Sequence, residues 1–268
     1  MKKLDHLSAI YSQYDTFIID LWGVMHNGIK LNRNAVNAVE KLKNNKKKII
    51  FLSNAPRPSE SVVSFLKNLN MKEEYLENIM TSGEAAIASL KKKIFGINFF
   101  HLGPARDASL FKGLEKNKTS LEKCEFILCT GLFDNYEKNL DYYKNLLKPA
   151  ISKKFICTNP DLTVHRGLQK EYCAGTLAEI FKSLGGEVVY FGKPYKEIYN
   201  AILKKDEKNF IIGDNLKTDI RGANNLKIDS LFISNGVHRS EFKNDQELKA
   251  LFQKYKVNSN FVQPELCW

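Results

Sequence analysis

The sequence predicts an α/β protein: a Rossmann-like parallel sheet wrapped by helices, with a second α/β unit inserted into it. Three observations carry that prediction. Short apolar, β-rich runs alternate with longer stretches of helical periodicity, the pattern of a parallel sheet covered on both faces. Four of the apolar runs end on a polar or charged residue, where the ligand crevice of an open α/β sheet lies. From Asn54 to Lys193, which follow two of those runs, the chain takes 139 residues, far more than one crossover between neighbouring strands needs.

In chain order, strands are expected at 17–20, 48–53, 98–102, 126–130, 155–158, 188–191, 210–213 and 231–234. Helical spacing of apolar residues marks 33–44, 59–69, 84–92, 136–147, 175–184, 195–203 and 218–225. No internal repeat and no low-complexity linker interrupts this alternation.

The bulk properties fit an ordinary globular protein. The chain has 268 residues, 43% hydrophobic and 26% charged, a balance that argues against disorder. No apolar run approaches the roughly 18 residues that would span a bilayer. The first residues carry Asp5, His6, Ser8 and Gln13 where a signal peptide would need an apolar stretch. A cytoplasmic protein with no membrane partner is therefore expected. The five cysteines show no CxxC and no zinc-site spacing, so they read as reduced thiols. The net charge of +11 comes with only six Arg among 41 basic residues. Lysines scattered without interleaved aromatics suit a solvated surface that attracts anionic metabolites, and no nucleic-acid partner is expected.

The strand ends hold the chemistry. Phe17-Ile18-Ile19 delivers Asp20, and Ile49-Ile50-Phe51-Leu52 delivers Ser53 and Asn54. The run 188–191 leads to Gly192 and Lys193, and Phe210-Ile211-Ile212-Gly213 delivers Asp214. Asp20 and Asp214, with Asp219 one helical turn further on, make the oxygen-rich site that Mg2+ prefers. A carboxylate beside such a metal can attack phosphorus and form an aspartyl-phosphate. Lys193 would offset repulsion between that nucleophile and a phosphate dianion. Ser53 and Asn54 would donate hydrogen bonds to the phosphoryl oxygens.

In their order these elements resemble the four motifs of the haloacid dehalogenase (HAD) superfamily. Asp20-Leu21-Trp22-Gly23-Val24 is similar to the first and Leu52-Ser53-Asn54 to the second. Gly192-Lys193-Pro194-Tyr195 is similar to the third, and 213–219, Gly-Asp-Asn-Leu-Lys-Thr-Asp, to the fourth. The resemblance implies Asp20 as nucleophile. It implies a Mg2+ site made by Asp20, the backbone carbonyl of Trp22 and Asp214, with Asp219 ligating or supporting the ion.

The segment 83–187 must then be an inserted α/β cap, with 1–82 and 188–268 forming the HAD core. Thr81-Ser82-Gly83-Glu84 and Thr158-Asn159-Pro160-Asp161 look like the class IIA branch, which includes nitrophenyl-phosphatase-like enzymes and phosphatases of nucleotides and sugar phosphates. A magnesium-dependent phosphatase of a small phosphorylated metabolite is the implied activity. Specificity is expected from the cap, with Asn159, Asp161, His165 and Arg166 as candidates to face the substrate. A homodimer through the cap is common in similar proteins.

The sequence departs from the family at Trp22. Phosphatases of the superfamily carry there a second Asp that protonates the leaving group, and an indole N–H only donates a hydrogen bond. General acid–base help is typically worth about 10² to 10⁴ in rate. Three alternatives follow: a phosphatase with a good leaving group or a substitute acid, for which His26 is the nearest candidate; different HAD chemistry; or a catalytically weakened relative that binds a phosphorylated ligand or partner without turnover. Gly213-Asp214 and Asp219 argue against metal-free dehalogenation.

Overall fold

The computed structural model describes residues 1–200 and 202–268. The chain opens with the edge strand β1 (Lys2–Lys3), then lays down β2 (Thr16–Ile19), α1 (Arg33–Asn44), β3 (Lys48–Ser53), α2 (Ser59–Asn68) and β4 (Ile79–Thr81). It next builds α3 (Ser82–Lys91), β5 (Phe99–Leu102), β6 (Phe126–Cys129), α4 (Leu140–Leu147), β7 (Lys154–Cys157), β8 (Thr163–Arg166), β9 (Gln169–Tyr172), α5 (Ala174–Ser183) and β10 (Val188–Tyr190). It closes with α6 (Lys196–Asn200), β11 (Asn209–Gly213), α7 (Arg221–Leu226), β12 (Asp229–Ile233), α8 (Asp245–Tyr255) and β13 (Phe261–Gln263).

A seven-stranded sheet has the order β1-β13-β12-β11-β2-β3-β4, and a four-stranded one the order β10-β7-β6-β5. All pairs in both are parallel, and β8 with β9 forms a separate antiparallel hairpin. The α/β fold on a parallel-sheet core is thus the one the alternation predicted.

The continuous apolar runs follow from this layering. β2 lies between β3 and β11, and all four of its residues are buried, because helices cover both faces. Phe17, Ile19 and Phe51 point to the face covered by α1, whose Ala35, Ala38, Val39 and Leu42 form one buried stripe. Asn32 starts that helix by accepting from Asn34 N and Ala35 N. Ile18, Leu52 and Ile211 point the other way, onto Ile198, Tyr199 and Ala223. Each Val, Leu, Ile or Phe among them contributes about 1.5–3 kcal/mol by leaving water. Four of the five cysteines are buried, all five are free thiols, and Cys129 and Cys157 pack in the core of the small sheet beside Phe155 and Phe181.

Several expectations need correction. The run at 188–191 is not a strand of the large sheet: Val188, Val189 and Tyr190 pair with Phe155, Ile156 and Cys157 of β7. The chain therefore rejoins the large sheet only at β11, and Lys193 stands on the loop leaving the small one. The helix expected at 136–147 begins at Leu140, where Asn139 accepts from Tyr142 N as its cap. The helix expected at 195–203 is seen at Lys196–Asn200, and Ala201 lies outside the described residues. The 218–225 helix starts as a π-helical turn at Leu216–Ile220 before α7. The short strands β1, β4, β8, β9 and β13, and helix α8, were not anticipated. Among the described residues, no helix is long and apolar enough to cross a membrane.

Candidate active site

β3, β2 and β11 lie side by side, and sequence order reverses between β2 and β11, which opens a crevice beyond their carboxyl ends. Asp20 follows β2, Ser53 ends β3, and Asp214 follows β11. Lys193 reaches in from the loop after β10. Its Nζ lies 2.5 Å from Asp20 Oδ1 and 2.7 Å from Asp219 Oδ1, with the three side chains 3%, 9% and 2% exposed, respectively.

Asp20, Asp214 and Asp219 each turn one carboxylate oxygen toward a common point, all within 4.8 Å of one another. Backbone amides fix two of them: Val237 N donates to Asp214 Oδ2 at 2.7 Å, and Asn215 N donates to Asp219 Oδ2 at 3.1 Å. Gly23 makes the convergence feasible. At φ +86° it adopts a conformation side chains rarely take, and a Cβ there would sit 2.0 Å from Asp214 Oδ2.

Two of the three buried carboxylates share one ammonium. Burial raises the Asp20 pKa to about 8; Lys193 pulls it down, and Asp219 and Asp161 push it up. Burial, then Asp20 and Asp219, hold Asp214 well above the usual carboxylate range. Burial opposes the charge on Lys193, but Asp20, Asp219 and Asp161 outweigh it and keep that amine protonated. Three carboxyl groups with hard oxygen donors thus face a single internal cation, so their full ionisation is disfavoured until a further positive charge joins them. That donor set fits a divalent ion such as Mg2+.

All the site residues chosen from the sequence line one cavity of about 890 Å³. Their detailed roles differ from expectation in places. Asn54 is committed to Lys193: its Oδ1 accepts from Lys193 N at 2.8 Å and its Nδ2 donates to Lys193 O at 3.2 Å. It therefore positions the lysine loop, and the second N–H of its Nδ2 remains able to donate. Ser53 Oγ accepts from Ala55 N at 3.2 Å, which leaves its O–H available to donate. Asn159 accepts from Asp161 N at 3.0 Å, shaping the turn that carries Asp161. Asp161 accepts from Asn215 Nδ2 at 3.1 Å, and burial raises its pKa to about 6. His165 and Arg166 lie on β8 at the cavity wall.

Trp22 also lines the cavity, with Nε1 donating to His165 O at 2.8 Å. His26 does not take over as the acid. Its Nδ1 accepts from Gly28 N at 3.0 Å, its ring is wedged against Trp22 and Phe65, and burial lowers its pKa to about 4. It is therefore neutral near pH 7. No signal in residue type marked Val237, which acts through its backbone N–H, or Arg239, which reads as a surface cation. Asn215 sat within a recognised motif without an assigned role.

Comparison with known proteins agrees with this geometry. A family model described as haloacid dehalogenase-like hydrolase matches residues 17–116, and one described as HAD-hydrolase-like matches 190–258. The chain is 25% identical to a Bacillus subtilis protein named 5′-nucleotidase YutF, over 87% of this chain and 91% of that one. It is 26% identical to an acid sugar phosphatase of Staphylococcus saprophyticus, over 85% and 89%. The crystal structure of a haloacid dehalogenase-like hydrolase from Brucella suis superposes with a TM-score of 0.86 at 28% identity, covering 98% and 99% of the two chains.

Proposed function

Because this chain belongs to the haloacid dehalogenase-like hydrolases, we propose that it is a magnesium-dependent phosphatase of a small phosphorylated metabolite, such as a sugar phosphate or nucleotide. The relatives named 5′-nucleotidase and acid sugar phosphatase support that substrate class. The observation that carries the reading is Lys193 bridging Asp20 and Asp219 inside the buried carboxylate cluster.

Asp20 is the nucleophile. Its carboxylate oxygen attacks phosphorus, the ester P–O bond breaks, and the alkoxide leaves with the bonding pair and takes a proton from water. Water then attacks the acyl-phosphate, releasing inorganic phosphate and restoring the carboxylate. Lys193 pulls the Asp20 pKa down and so favours the ionised nucleophile, and it draws the phosphoryl dianion in. Ser53 donates its O–H to a phosphoryl oxygen, while Asn54 holds the lysine loop in register. Asp20, Asp214 and the Trp22 carbonyl, supported by Asp219, would hold Mg2+. Bound there, the ion would supply the further positive charge and polarise the phosphoryl group. The unit from 83 to about 191 serves as the cap, with Asn159 and Asp161 facing the substrate.

The commitment of the Trp22 indole to His165 O favours a second reading, a phospho-ligand binder without turnover. One experiment separates the two: phosphate release from a panel of phosphomonoesters, with and without magnesium, against Asp20→Asn. Release that requires both the metal and Asp20 is expected. Ligand-induced thermal stabilisation without release would replace the phosphatase reading with the binding one.

A further inference from the structure

The loop after the nucleophile grips the hairpin formed by β8 and β9. Trp22 Nε1 donates to His165 O on β8, and the Arg166 guanidinium lies over the indole, 5.9 Å from its centroid. At the hairpin turn, Gly167 N donates to Asn27 O at 3.0 Å, and Gly167 O accepts from Arg239 at 3.3 Å. The indole itself is held in place. His26 meets it edge-on at 5.1 Å, and Gly28, at φ +83°, leaves room where a Cβ would come within 2.7 Å of the ring. The two segments lie 143 residues apart in sequence. The hairpin residues Thr163, His165, Arg166 and Lys170 form one wall of the cavity above Asp20.

We propose that Trp22 is a positioning residue that clasps the β8–β9 hairpin over Asp20, so that the place of the missing acid is taken by the latch that closes the site. A side chain that only filled space would need no hydrogen bond aimed at a backbone carbonyl of the opposite unit. Clasping sets how far the wall swings to admit substrate and how completely water is excluded once it closes. The exchange arm of the test stands without the phosphatase reading; only its kinetic arm rests on it.

The test is hydrogen exchange on the full-length wild type, Trp22→Phe, Trp22→Ala and Gly28→Ala, without metal or substrate. Trp22→Phe keeps the ring and deletes one hydrogen bond, so amides of β8 and β9 should exchange about two- to tenfold faster. Gly28→Ala, which displaces the ring, should do the same, while β5 and β6 stay unchanged. Hairpin exchange equal to wild type in Trp22→Phe and Gly28→Ala, or a uniform rise along the chain, overturns the proposal. If Trp22→Ala does not fold, the other two decide it. On an activated aryl phosphate, the Trp22→Phe loss should fall on KM more than on kcat; a loss in kcat alone with unaltered hairpin exchange also overturns it. No release by any form, wild type included, defeats the phosphatase reading and leaves exchange to judge the clasp.

Discussion

Asp161, on the loop after β7, accepts a 3.1 Å hydrogen bond from the side chain of Asn215, on the loop after β11. One contact thus ties the small sheet to the large one at the edge of the carboxylate cluster. Asn215 also accepts from Lys217 N through its Oδ1, so its amide is fixed at both ends.

Removing that tie should loosen the seating of the substrate. A hydrogen bond to a charged group is worth about 1.5–3 kcal/mol, which corresponds to roughly a 10- to 150-fold loss. Asn215→Ala is expected to lower kcat/KM by an amount in that range, measured in steady state on the best substrate found. A change below twofold would show that Asp161 is held by its other neighbours.

Lys193 is the only cation bonded to Asp20 and Asp219 among the described residues. Breaking a buried pair by deleting one partner typically costs about 3–5 kcal/mol. Lys193→Met should therefore lose stability on that scale in urea unfolding at neutral pH with chelator present. Restoring charge balance with a second change, Asp219→Asn, should recover part of the loss.

The raised pKa of Asp20 has a defined consequence for stability. An acid whose folded pKa is about 8 against an ordinary 3.8 favours the fold fully below pH about 4 and loses that contribution as pH rises through about 8. Protons and a divalent ion compete for the same carboxylates. Magnesium should accordingly raise Tm, and by more at pH 8 than at pH 5, in a thermal scan against chelator. An increment that is equal at both pH values would contradict the placement of the ion on this cluster.

Gly23→Ala tests the packing beneath the site. The added methyl would meet Asp214 Oδ2 at 2.0 Å from a backbone at φ +86°, so the carboxylate has to move. A displacement of about 1 Å at a reacting centre costs on the order of 10² in rate. The expected outcome is that loss in kcat, with magnesium binding weakened in the same variant.

How much of this was legible in the sequence depended on the kind of signal. Asp20, Ser53 and Asp214 stood out because each ends an apolar run, and in a parallel sheet such runs end at the crevice. Lys193 was found by the same rule, but its strand was assigned to the wrong sheet. Val188-Val189-Tyr190 reads as a buried parallel strand in either context, and only its pairing with β7 decides between them. The long-range contacts that assemble the site were not legible. Trp22 to His165, Asp161 to Asn215 and Asp214 to Val237 join residues 143, 54 and 23 positions apart. Two of the three use a backbone group, which leaves no trace in residue type. His26 looked like a substitute acid because its ordinary pKa is near neutrality; its burial of all but 4% is a tertiary fact.

The central claim is that Asp20 is the nucleophile. Its most direct test is mass spectrometry of protein quenched in acid during turnover of an activated phosphomonoester with magnesium. The expected result is a phosphoryl adduct on the peptide containing Asp20, abundant because Trp22 offers no base to speed its hydrolysis, and absent in Asp20→Asn. Phosphate release that proceeds at the wild-type rate in Asp20→Asn, with no adduct in either protein, would contradict it.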